Sequence, residues 1–153
     1  MRKVYLDSCV YSRPFDNQAI ERIFIEARAF LVVLKWIEER KVSSINSDAL
    51  EYENDLTADG DRRLRVKTFL SLARSHVQLD DSSFERAKKL LALGFRGIDA
   101  LHIAMAEKGD AEFFVTCDDG IAKAAKRFQN ELKVRVVGLL EFLAEVMENV
   151  END

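Results

Sequence analysis

The chain has almost no proline, with Pro14 the only one in 153 residues, and no internal repeat or low-complexity stretch that would read as a linker. One domain is therefore expected over residues 1–147, with a polar tail at 148–153 that frays. Cysteine is scarce as well. Cys9 and Cys117 form no CxxC pattern, which excludes a disulfide framework and a zinc ribbon and points to a reducing, cytoplasmic setting. No apolar run reaches the ~20 residues needed to cross a bilayer, and no basic-then-apolar leader precedes the first strand pattern. There is no basic excess either, since the net charge is −4, which excludes a protein that grips nucleic acid by bulk charge alone. A carboxylate-lined metal site would still suit such a balance, because the bound cation reverses the local field.

What is present is a globular composition, 48% hydrophobic and 33% charged. Apolar runs at Lys3–Asp7, Val42–Ile45, Phe113–Val115 and Val134–Val137 read as strands, with a weaker one at Val77–Leu79. Helical spacing predicts helices from Asn17 to Arg40, after Ser47, over Arg62–His76, from Asp80 to Gly94, over Ile98–Lys108, over Ile121–Gln129 and from Leu139 onward. Ser8–Asp16, which holds the proline, reads as a loop. Strands alternating with helices imply an α/β fold in three layers, α/β/α, around a mostly parallel central sheet.

Four acids fall where strands give way to helices or on early helical turns: Asp7, Glu53, Asp99 and Asp118. An α/β fold collects such positions at the carboxyl edge of its sheet. Each alone reads equally as a helix cap. Together, with no cationic partner in their motifs, they call for a divalent metal, and oxygen donors favour Mg²⁺ or Mn²⁺. Two choices need a register. Asp119 follows Asp118, and the Thr116-x-Asp118 spacing favours Asp118. Glu51 and Glu53 lie about 200° apart on a helix, and the register set by Ser47 favours Glu53.

Leu6-Asp7-Ser8, Ser47 with Glu53 six residues on, Asp99-Ala100-Leu101-His102-Ile103-Ala104 and Thr116-Cys117-Asp118 resemble the PIN domain family, which includes the VapC-type toxins of toxin–antitoxin systems. The resemblance runs from about Lys3 to Phe142. It implies a Mg²⁺- or Mn²⁺-dependent endoribonuclease acting on single-stranded RNA, with a cognate antitoxin protein as partner. It also implies that Asp7, Asp99 and Asp118 anchor metal, that Glu53 binds metal or orients water, and that Ser8 and Thr116 support these carboxylates through hydroxyl hydrogen bonds. Cys9 stands where many relatives carry asparagine.

Other features carry two readings each. Arg13, in the loop after Asp7, is a candidate phosphate contact or a surface arginine. The basic run Arg62-Arg63-Leu64-Arg65-Val66-Lys67, and Lys123, Lys126 and Arg127, could track an RNA backbone or form solvated faces. His102, three residues after Asp99, is either a proton carrier or a packed histidine. The stripe of Leu139, Leu140, Phe142, Leu143, Val146 and Met147 exceeds one face, so it packs on the sheet or serves a homodimer, which is the expected assembly. Two other classes compete with the nuclease: a non-catalytic PIN module binding RNA or protein, and a phosphoacceptor domain, which normally pairs two acids early in the chain, whereas Asp7 has no acidic neighbour before it.

Overall fold

The computed structural model describes residues 1–151, with side chains through Asn149. Among the described residues, five parallel strands form one sheet in the order β3-β2-β1-β4-β5. They are β1 (Arg2–Leu6), β2 (Val42–Ser47), β3 (Ser75–Val77), β4 (Phe113–Thr116) and β5 (Arg135–Gly138). Helices α1 (Ser8–Ser12), α2 (Glu21–Glu38), α3 (Asp48–Asp55), α4 (Gly60–Leu70), α5 (Asp81–Leu93), α6 (Gly97–Lys108), α7 (Asp119–Arg127) and α8 (Leu139–Glu151) connect and flank them. Packing of α2 against α8, and of α6 against α3 and α5, completes the three-layer α/β/α arrangement. The tail expected from 148 is helical to Glu151, and 152–153 lie outside the described residues.

Several boundaries differ from the periodicity. The stretch expected as a loop is helical, with α1 followed by a 3-10 turn at Arg13–Phe15 that places Pro14 in its first turn, where a missing N–H costs nothing. The helix expected from Asn17 does not start there. The Asn17 carboxamide oxygen accepts from Ala19 N in a tight turn, and the helix begins four residues later at Glu21. The helix expected over Arg62–His76 stops at Leu70 because Ser75, His76 and Val77 pair with Ile45, Asn46 and Ser47 of β2. The ladder overrides local helical propensity there. β2 itself runs past Ile45 through buried Asn46 to Ser47, polar residues that hide the end of the strand from a hydrophobicity reading.

The core lies between sheet and helices, with Tyr5, Phe113, Phe114, Phe30, Phe142 and Met105 among its fully buried side chains. Leu139, Phe142 and Val146 of the terminal stripe pack into this core, whereas Leu140 and Met147 stay exposed. Gly109 ends α6 with φ −80°, so it is not there for a left-handed turn. A Cβ on it would meet Val77 Cγ2 at 2.8 Å and Ile45 Cδ1 at 3.2 Å. Gly109→Ala is accordingly expected to cost about 1–3 kcal/mol by overpacking. An unchanged denaturation midpoint would contradict that close approach.

Candidate metal and carboxylate site

The chain reverses its direction of travel across the sheet at β1, whose neighbours are β2 on one side and β4 on the other. A crevice outside the carboxyl ends opens at such a switch point. Asp7 follows β1 directly and Asp118 stands two residues beyond β4. Asp99 lies in the first turn of α6, and Glu53 lies in α3, which leaves the end of β2.

Asp7 is 4% exposed and heavily held. Its Oδ1 accepts from Ser8 N at 2.8 Å, and its Oδ2 accepts from the Thr116 hydroxyl at 2.9 Å. Cys9 donates its S–H to the same Oδ2 at 3.4 Å. The Cys117 side chain beside it, then burial and the Asp7 charge, push the Cys9 thiol upward, which keeps that proton in place. The thiol thus supplies a weak donor to the first carboxylate.

Asp118 caps α7, its Oδ1 accepting from Gly120 N at 2.8 Å and Ile121 N at 3.2 Å. Gly120 makes this possible, since a Cβ there would press to 3.0 Å from the same oxygen. Capping occupies one carboxylate oxygen and leaves the other, so a cap and a ligand are compatible roles for one aspartate. Asp119 sits outside the cluster, gripped by both Arg22 amino groups at 2.7 and 2.9 Å. Glu51 likewise turns away and accepts from Asn46 Nδ2 at 2.8 Å.

Glu53 is held on both oxygens. Ser8 Oγ donates to Oε2 at 2.9 Å, and His102 Nε2 lies 2.8 Å from Oε1. Burial pulls the Glu53 carboxyl upward, but its hydrogen-bonding and electrostatic interaction with His102, then the hydrogen bond from Ser8, outweigh it and the net shift is downward. Asp99 behaves in the opposite way. Burial first, then the charges of Asp7 and Asp118, with a smaller push from Glu53, drive it up to about 6. The four acids therefore share one electrostatic neighbourhood in which negative charge is in excess.

That excess is the test of whether a cation fits. Uncompensated carboxylates raise one another, and a divalent ion removes the repulsion. Among the described residues no three His, Cys, Asp or Glu side chains are grouped so that together they could hold a metal ion. Hard cations such as Mg²⁺ and Mn²⁺ keep part of their water shell and need only one or two protein carboxylates.

Arg13 is already ion-paired. Its guanidinium is bound to Glu26 at 3.0 Å and Asp16 at 3.0 Å, bracing the 3-10 turn against α2. The basic run on α4 is similarly engaged: Arg62 with Asp16, Arg63 with the Thr57 carbonyl, Arg65 with Asp61. A different arginine borders the site. Arg96, the residue preceding α6, lines an open cavity of about 140 Å³ together with Asp99, Asp118 and Gly120. Its place three residues before Asp99 was the only sequence signal for it.

The PIN domain family matches residues 4–127 of the chain. Among solved structures, VapBC2 from Rickettsia felis, bound to a DNA fragment from its promoter, resembles it with a TM-score of 0.57 at 12% identity, covering 89% of this chain and 98% of that one. PAE2754 from Pyrobaculum aerophilum resembles it with a TM-score of 0.54 at 14% identity, covering 96% of this chain and 98% of that one. No curated protein matches the sequence.

Proposed function

The chain belongs to the PIN domain family, and from that premise we propose that it is a Mg²⁺- or Mn²⁺-dependent endoribonuclease acting on single-stranded RNA. The observation that carries the reading is the gathering of Asp7, Asp99 and Asp118 from distant parts of the chain at the switch point, where burial and then the charges of Asp7 and Asp118 raise the Asp99 carboxyl. Asp7, Asp99 and Asp118 would hold the metal, with Glu53 as a further ligand or as the group that orients water. When bound, the ion supplies an activated water and charge compensation at the scissile phosphate.

The chain's own residues do the rest. Thr116 and Ser8 fix the Asp7 and Glu53 carboxylates through their hydroxyls, so neither must reorganise when substrate arrives. Arg96 lines the cavity beside Asp99 and Asp118, and we assign it a contact to a substrate phosphate there. Lys123 and Lys126 on α7 extend positive charge away from the same rim.

By this reading the protein is the toxin half of a toxin–antitoxin pair, with a cognate antitoxin covering the acidic rim. The VapBC2 neighbour supports that assignment by analogy of fold. A homodimer is supported by α2 and α8, which pack together and leave Phe24, Leu31, Leu140 and Met147 exposed. The free thiols of Cys9 and Cys117 suit a reducing cytoplasm, and among the described residues no helix is long and apolar enough to cross a membrane.

Two measurements test the reading. A ligand that prefers the native state stabilises it by RT ln(1 + [L]/Kd), about 2.7 kcal/mol at a hundredfold excess over Kd. Millimolar Mn²⁺ should therefore raise the melting temperature, and a mixed RNA pool should be cut in its presence but not with chelator. A metal response without cleavage would move the substrate elsewhere. No response to Mn²⁺ and no cleavage would favour a PIN module that only binds RNA or a protein partner.

A further inference from the structure

His102 is buried and lies on the face of α6 that carries Asp99, yet it contacts Glu53 of α3. The opposite side of its ring is occupied too. Nδ1 lies 2.6 Å from the Tyr5 hydroxyl, which is 2.7 Å from Ser47 Oγ, and that oxygen accepts from Leu50 N at 3.1 Å. Four side chains from β1, the end of β2, α6 and α3 thus form one continuous line, three of them fully enclosed.

Donor counting fixes its direction. Each hydroxyl has one proton to give, and buried polar groups without partners are costly. Ser47 already accepts the backbone N–H of Leu50, so its own proton points to Tyr5. Tyr5 then donates to Nδ1, and the ring proton sits on Nε2, facing Glu53. The reverse order, with Nδ1 donating to Tyr5, would leave the Ser47 hydroxyl proton facing neither of its two partners. Burial drives the Tyr5 phenol well above its ordinary range, so its proton is not lost to solvent.

We propose that His102 is a positioning residue: clamped by Tyr5 and Ser47 with its proton on Nε2, it holds the Glu53 carboxylate at the rim of the acidic cluster. What Glu53 does there rests on the nuclease reading; how it is held does not. The line also ties the N-cap of α3 to the side chain six residues along the same helix. Ser47 therefore sets both where α3 starts and where Glu53 points.

The metal-free protein gives the first test. Nitrogen NMR of the His102 ring should show a protonated Nε2 and a lone pair on Nδ1, and a proton on Nδ1 overturns the inference. The second test is a double-mutant cycle read as Mn²⁺ affinity by calorimetry. His102→Leu should weaken binding by about 10- to 100-fold, the usual cost of losing an outer partner of a ligand. In a Glu53→Gln background the same change should cost less than about twofold, since residues acting through one group are not additive. An equal loss in both backgrounds assigns His102 to packing alone and overturns the inference. Tyr5→Phe keeps the core filled should His102→Leu fail to fold. It should weaken Mn²⁺ binding about three- to tenfold, one hydrogen bond's worth, and unchanged affinity counts against the clamp. A wild type that binds no Mn²⁺ removes the nuclease reading, while the ring tautomer still decides the clamp.

Discussion

Asp99→Asn is expected to make the metal-free protein more stable and, on the nuclease reading, to abolish RNA cleavage. The Asp99 carboxyl rises from 3.8 to about 6 in the fold, through burial and then the charges of Asp7 and Asp118. At full value the raised carboxyl would destabilise the ionised native state by about 3 kcal/mol, and the group's partial exposure lowers that to about 1–2 kcal/mol. The sign follows from proton counting. Between pH 4 and 6 the native chain binds the Asp99 proton more tightly than the unfolded chain does, so this contribution falls as pH rises through that window and stays low above it. Asparagine carries no charge to repel, so the variant should melt higher than wild type at pH 7 and lose this component of the pH dependence. Activity should fall by more than about a hundredfold, since even an outer partner of a metal ligand is commonly worth 10- to 100-fold. Melting curves at pH 4.5 and 7, with and without Mn²⁺, separate the two effects. A variant that melts lower than wild type at pH 7 would contradict the charge crowding.

Asp7→Asn should lose as much activity and move stability the opposite way. The Asp7 carboxylate accepts from Ser8 N, the Thr116 hydroxyl and the Cys9 thiol in a site closed to water. An amide offers one acceptor oxygen where there were two and turns an N–H₂ toward former donors. Hydrogen bonds to charged groups are worth about 1.5–3 kcal/mol, and a destabilisation near the lower end is expected because the Thr116 hydroxyl can rotate. Two aspartates of one cluster should therefore respond to the same isosteric change with opposite shifts in melting temperature. If both variants still cut RNA at the wild-type rate, with contaminating nuclease excluded, the site assignment is wrong.

The alternation of strands and helices was readable because apolar segments such as Phe113–Val115 have no polar alternation and because Ser47 and Asp80 are strong caps. The limits of β2 and β3 were not readable. Asn46 and Ser47 are strand residues because they pair with β3, and His76 leaves a helical pattern for the same reason. The gathering of Asp7, Glu53, Asp99 and Asp118 could be anticipated from their places at strand ends and helix starts. The choice of cations could not. Arg13 and Arg62 look available in the sequence, and only the fold shows that Asp16 and Glu26 occupy them while Arg96 borders the cavity. The partners of His102 lie 97 and 49 residues away, beyond the reach of any local pattern.

The central place of β1 also bears on synthesis. Its first neighbour, β2, emerges early, but Val4, Tyr5 and Leu6 pair with Phe113, Phe114 and Val115, which are made more than a hundred residues later. Contacts of such long sequence separation form late and slowly. A nascent or truncated chain ending before Phe113 carries Asp7, Glu53 and Asp99 but lacks the strand that seats Asp7 and the aspartate that follows it. The acidic cluster therefore assembles only once β4 and Asp118 have been made.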